Sequence, residues 1–131
     1  MEKFFDHHRD LGPTIIRVGL AVVFLWFGYN LVSNPADWTR QVPDYVAEIA
    51  PLSTETIVMI NGIFEIVLGL ALLVGFWTRT VAFLLAIHLI PIVINFGPAS
   101  PNGARDFGIL MATLGLSFLR PGRYSIDKKK E

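Results

Sequence analysis

The stretch Thr56–Trp77, TIVMINGIFEIVLGLALLVGFW, decides the fold. It holds 22 residues and a single ionisable side chain, Glu65, and it is apolar on every face. At 1.5 Å per residue such a helix is about 33 Å long, enough to cross a hydrocarbon core of about 30 Å. A helix apolar all round does not suit the surface of a soluble bundle. Reading outward, a short turn at Gly75–Arg79 leads into a second apolar run, TVAFLLAIHLIPIVINF, from Thr80 to Phe96. Upstream lies LGPTIIRVGLAVVFLWFGYNLV, Leu11 to Val32. Downstream lies FGILMATLGLSFL, Phe107 to Leu119, which has only 13 residues. Its flanks, Arg105-Asp106 and Arg120 to Arg123, can snorkel and extend its reach. The sequence therefore predicts an all-α, integral membrane four-helix bundle formed by one domain over 1–131, with spans at about 11–32, 56–77, 80–96 and 106–120.

The composition agrees. Hydrophobic residues make up 53% of the chain and charged residues 17%, against about 25% charged in an ordinary soluble domain. The 11 basic and 11 acidic residues cancel, so no global field favours nucleic acid. With no cysteine, disulfides, thiolate metal sites and thiol redox chemistry carried by this chain are excluded. The mixed charge of Met1–Asp10 and the lack of a small-residue cleavage site argue against reading the first run as a signal peptide.

Four spans put both termini and the Trp77–Thr80 turn on one side. That side carries nine of the Lys and Arg residues, among them Arg17 and Arg79; the other carries Arg40 and Arg105. The asymmetry predicts cytoplasmic termini. The tight Gly75–Arg79 turn predicts an antiparallel hairpin of the second and third spans. The first outer loop, Ser33–Glu55, contains Pro35, Pro43 and Pro51, with Trp38, Tyr45 and helical turns at Asp44–Ile49; it suits a short interfacial segment. The second, GPASPNGAR, is expected to be irregular. At an offset of 46, Gly62-Ile63 matches Gly108-Ile109 and Leu68-Gly69-Leu70 matches Leu114-Gly115-Leu116, a weak repeat that a duplicated hairpin would explain. Lys128–Lys130 read as a topology determinant that favours anionic lipid.

Ionisable groups at membrane depth cost several kcal/mol unless they find a partner or a cavity. Glu65 lies near the centre of the second span, and His88 is the central residue of the third. A tight hairpin places them at nearly the same depth, where a carboxyl and an imidazole can share a hydrogen bond. Thr113 is at matching depth in the fourth span; Asn61 lies one turn outward from Glu65 and Asn95 two turns outward from His88. Gly62 and Gly69 let a neighbouring helix approach. These residues outline a polar pocket able to bind a headgroup or pass protons, with interhelical glue as the structural alternative. Arg17 can snorkel towards the cytoplasm, or pair with Glu65 under strain. Tandem His7-His8 read as exposed residues. His88 is the only intramembrane histidine, so one subunit cannot hold a bis-histidine haem. No phosphate loop, zinc-protease helix or nucleophile elbow is present.

At these residues the chain resembles the DoxX/DoxD-like family of small four-span membrane proteins. The matching stretches are Arg17-Val18-Gly19-Leu20 running into FLWFGYN, NGIFEIVLGLALLVGFWTR, and RDFGILMATLGLSFLRPGRYSID. The family often has lysine near the outer end of the first span, where this chain has Asn30. The resemblance implies a plasma-membrane protein linked to redox systems, the namesake subunits looking like part of a thiosulfate:quinone oxidoreductase. By position, Arg17, Glu65 and Arg79 match the family's recurrent polar residues.

The leading expectation is thus a small membrane subunit of a quinone-associated redox complex. In it Glu65 and His88 do the chemistry, Arg17, Asn30, Asn61, Asn95 and Thr113 line the ligand site, and Arg79 sits on the cytoplasmic side. A non-enzymatic assembly factor or scaffold and a small-solute or lipid carrier are the alternatives. The residues themselves leave the cofactor unknown; a quinone is what the resemblance suggests, and no haem or metal is expected from this chain alone. The partners expected are the lipid bilayer and either another protein or a second copy of the chain.

Overall fold

The long helices start and stop at local signals. In the computed structural model, which describes residues 1–127, a short helix α1 (Glu2–His7) precedes α2 (Leu11–Ser33). A 3-10 segment (Pro35–Gln41) and α3 (Asp44–Ile49) follow, then α4 (Thr54–Val74), α5 (Thr78–Phe96) and α6 (Pro101–Phe118). The Lys128–Lys130 run lies outside the described residues. Ser53 caps α4, its hydroxyl oxygen accepting from the Thr56 N–H at 3.2 Å. At the other end Gly75 adopts φ 73°, ψ 43°, and the Phe76 N–H reaches the Ala71 carbonyl at 2.9 Å, a Schellman stop that needs a left-handed residue.

The hydropathy runs fixed α2, α4 and α5 to within a few residues; the start of α6 is a correction. GPASPNGAR is not irregular throughout: Ser100 accepts from the Gly103 N–H at 3.0 Å, Pro101 occupies the first turn, and α6 is 18 residues long. The Asn102-Gly103 pair therefore sits inside the first turn. Three helices, α2, α4 and α5, are long and apolar enough to cross a membrane.

α2 packs chiefly along α4, and α5 along α6; α4 and α5, joined by the tight turn, meet more loosely. The α2–α4 contact is made at glycine. A methyl group built on Gly62 would fall 2.9 Å from the Gly28 carbonyl oxygen and 2.8 Å from Leu31 Cβ, so only two glycines let these backbones touch. Between the two pairs lies an apolar core that includes Leu20, Phe24, Leu72, Leu85 and Leu116. Ile15, Trp26, Ile63, Val67, Ile87 and Ile94 point outward instead. That continuous apolar exterior suits acyl chains and no aqueous surface.

Candidate functional site

Glu65 lies one residue from the middle of α4, and His88 one residue from the middle of α5. The structure brings them together: His88 Nε2 is 3.2 Å from Glu65 Oε1. The carboxyl is 4% exposed and its second oxygen, Oε2, has no protein partner. The imidazole leans on the Phe64 ring, centroids 4.9 Å apart, and is partly exposed.

On its other flank Glu65 lines a small internal cavity of about 20 Å³. α2 contributes Val23, Phe24 and Phe27, all apolar; α6 contributes Arg105, Asp106 and Ile109; the 3-10 segment contributes Gln41. Gln41 and Asp106 are both buried, and the amide nitrogen of Gln41 has no partner. Asp106 is held by Arg105, whose Nε donates to Oδ1 at 2.8 Å while the guanidinium lies 4.9 Å above the Phe27 ring. Sequence reading missed Gln41 and Asp106. Both lie at loop or helix-start positions, and only the folding back of the 3-10 segment onto α2 and α4 brings Gln41 inwards.

The other expected site residues are placed elsewhere. Among the described residues, none of Arg17, Asn30, Asn61, Asn95 and Thr113 hydrogen-bonds to the pair or lines this cavity. Asn30 donates to its own helix at Trp26 O (2.8 Å) and Thr113 to Ile109 O (2.6 Å), each side chain satisfied within one turn. Asn95 donates to Arg40 O at 2.8 Å, tying α5 to the 3-10 segment. Asn61 is half-buried beside Gly62.

Arg17 corrects both expectations made for it. It neither snorkels nor reaches Glu65: it is 1% exposed, and its guanidinium donates to Leu72 O at 2.8 Å, to Leu73 O, and to Arg123 O and Tyr124 O at 3.4 and 3.3 Å. A cation is well placed against the last carbonyls of α4, where the helix dipole is negative. Arg79 does the same for α6, its Nε donating to Ser117 O at 3.1 Å. Asp127 completes this knot from the opposite sign, accepting from the Trp77 and Thr78 N–H groups at the start of α5 at 2.8 and 2.7 Å. Arg17 thus ties the end of α4 to the tail and Arg79 ties α5 to the end of α6, and Glu65 stands apart from both.

Among the described residues no group of three or more His, Cys, Asp or Glu side chains is arranged to hold a metal ion. The cavity beside Glu65 has room for about one water and not for a quinone ring. The His88 side chain, by contrast, is partly exposed.

Apolar helices long enough to span, with a buried acid meeting an imidazole near their middles, define a polytopic helical membrane protein. The DoxX family model matches residues 12–98, more than half of the chain, and the chain belongs to the DoxX family. No characterised protein and no solved structure gives a significant match.

Proposed function

We propose that this chain is the small membrane subunit of a redox-linked, quinone-associated complex, in which Glu65 and His88 exchange protons. On this reading α6 crosses the membrane beside α5 as a fourth span, and both termini face the cytoplasm, as the nine-to-two distribution of Lys and Arg favours. The observation that carries it is the Glu65–His88 contact at 3.2 Å at the middle of two apolar helices, with one carboxyl oxygen left over.

Magnitudes favour chemistry over glue. A hydrogen bond between membrane helices returns about 0.6 kcal/mol on average. Burying an ionisable group, and leaving one of its oxygens unpaired, costs several kcal/mol. A serine or an asparagine would hold two helices together more cheaply. Glu65 is accordingly the proton-exchanging group and His88 its partner, with a quinone-like headgroup meeting the imidazole from the lipid side. Electrons come from a partner protein, since this chain has no cysteine and no haem-ligand pair of its own.

The test combines mass spectrometry of the small molecules that co-purify in mild detergent with quinol-linked turnover in membranes. Glu65→Gln is expected to lower turnover by about a hundredfold, the scale of lost acid–base catalysis, without loss of the folded subunit. Unchanged turnover, together with retention of a stable protein partner, would establish the scaffold reading instead.

A further inference from the structure

The Glu65 cavity does not stand alone. Towards the end of the bundle that carries the loops, a wider space of about 280 Å³ opens among Asp37, Trp38, Arg40, Phe96 and Asn102. The two spaces share two lining residues, Gln41 and Arg105. Gln41 is 7% exposed with its amide nitrogen unpartnered, whereas the Arg105 side chain is 43% exposed. A half-exposed arginine held by one carboxylate and one aromatic face can swing at little cost.

The opposite direction is closed. Below Glu65 the bundle is filled by Leu20, Ala21, Leu72, Ala82, Leu85 and Leu116, all buried and apolar. Beneath them lies the knot of Arg17, Asp127 and the tail. The charged and titratable groups that face Glu65 are His88 from α5 and the Arg105–Asp106 pair from α6; α2 offers only Val23, Phe24 and Phe27.

We infer that Glu65 is served by a half-channel: protons reach it from the loop end alone, through water in the vestibule and the inner cavity, with Arg105 and Gln41 as the gate. The inference rests on the proposed function and adds its access route and direction. An excess proton carried along that water as hydronium adds to the Glu65 carboxylate and leaves neutral water behind. The acid then yields a proton through Oε1 to His88 Nε2, regenerating the carboxylate and forming imidazolium. The imidazolium releases a proton where its ring is partly exposed, to a lipid-soluble acceptor of the quinone class that a partner reduces. No proton crosses the apolar core, so the subunit loads protons sideways and does not conduct them from face to face.

Hydroxyl-radical footprinting tests this, because radicals made by X-ray radiolysis label side chains beside water. In the full chain in bilayers, Phe27 and Ile109 are expected to be labelled, and Leu72 and Leu85 to stay at background. Arg105→Ala should raise labelling of Phe27 and Ile109 by about threefold, as an opened gate wets a cavity of one-water size. Labelling of Leu72 and Leu85 as strong as that of Phe27 would overturn the half-channel, as would unlabelled Phe27 and Ile109 in both proteins. Labelling unchanged by Arg105→Ala would overturn the gate. None of these readouts depends on turnover: an expected footprint with unaffected Glu65→Gln turnover would leave the route standing and remove the redox reading.

Discussion

At the scale of single residues, two of the buried ionisable side chains, Arg17 and Glu65, behave oppositely. Arg17 donates from both terminal nitrogens to backbone carbonyls of α4 and of the tail, while its Nε has no partner, so its removal uncovers acceptors in the interior. Arg17→Ala is expected to destabilise the protein by about 2–4 kcal/mol, and Arg17→Lys by somewhat less, since one ammonium cannot fork to carbonyls from two segments. Thermal unfolding in detergent would measure this. Glu65 is not satisfied. Replacing it together with His88, as Glu65→Leu/His88→Leu, is expected to leave stability unchanged or raise it, because an apolar pair of similar volume removes a desolvation cost. A loss above about 2 kcal/mol in that double variant would mark the pair as structural.

At the scale of elements, α2 and α4 depend on a glycine contact and α6 on its cap. Gly62→Val would drive side-chain atoms into Leu31 and the Gly28 carbonyl, and is expected to cost at least about 3 kcal/mol or abolish the folded state. Ser100→Ala should cost about 1 kcal/mol through the lost cap on Gly103. Unfolding midpoints would rank the two. The elements were legible where one local signal sufficed. Hydropathy marked α2, α4 and α5, and the equal depth of Glu65 and His88 followed from helix rise and a short turn. The start of α6 was also written in the chain, as Ser100-Pro101, although Asn102-Gly103 reads more readily as a turn. What local pattern could not carry was long-range: the carbonyls of residues 123 and 124 have no side-chain signature, so nothing near Arg17 announced its partners. Gln41 likewise enters the site only because a 3-10 segment folds back over the bundle.

At the scale of the whole molecule, the apolar exterior, the four long helices and the two unlike ends make a polarised object. One end is tied shut by Arg17, Arg79 and Asp127; the other opens through Gln41 and Arg105. Reporter fusions should read the same polarity. A reporter active only in the cytoplasm is expected to work at either terminus and to fail after Asn34 or Ala99. Activity at both kinds of site would remove the four-span arrangement.

The proposed proton exchange depends on the acid and the imidazole meeting in the bilayer. Of the three histidines, His7 and His8 can be replaced, leaving His88 as the sole source of imidazole signal. Solid-state nuclear magnetic resonance of the protein in lipid, with ¹⁵N in His88 and ¹³C in the glutamate carboxyls, would then read the nitrogen–carboxyl separation directly. The 3.2 Å contact predicts dipolar coupling at hydrogen-bonding distance that disappears in Glu65→Gln prepared without a labelled carboxyl at that position. A His88 ring with no coupled carboxylate in the intact protein would contradict it.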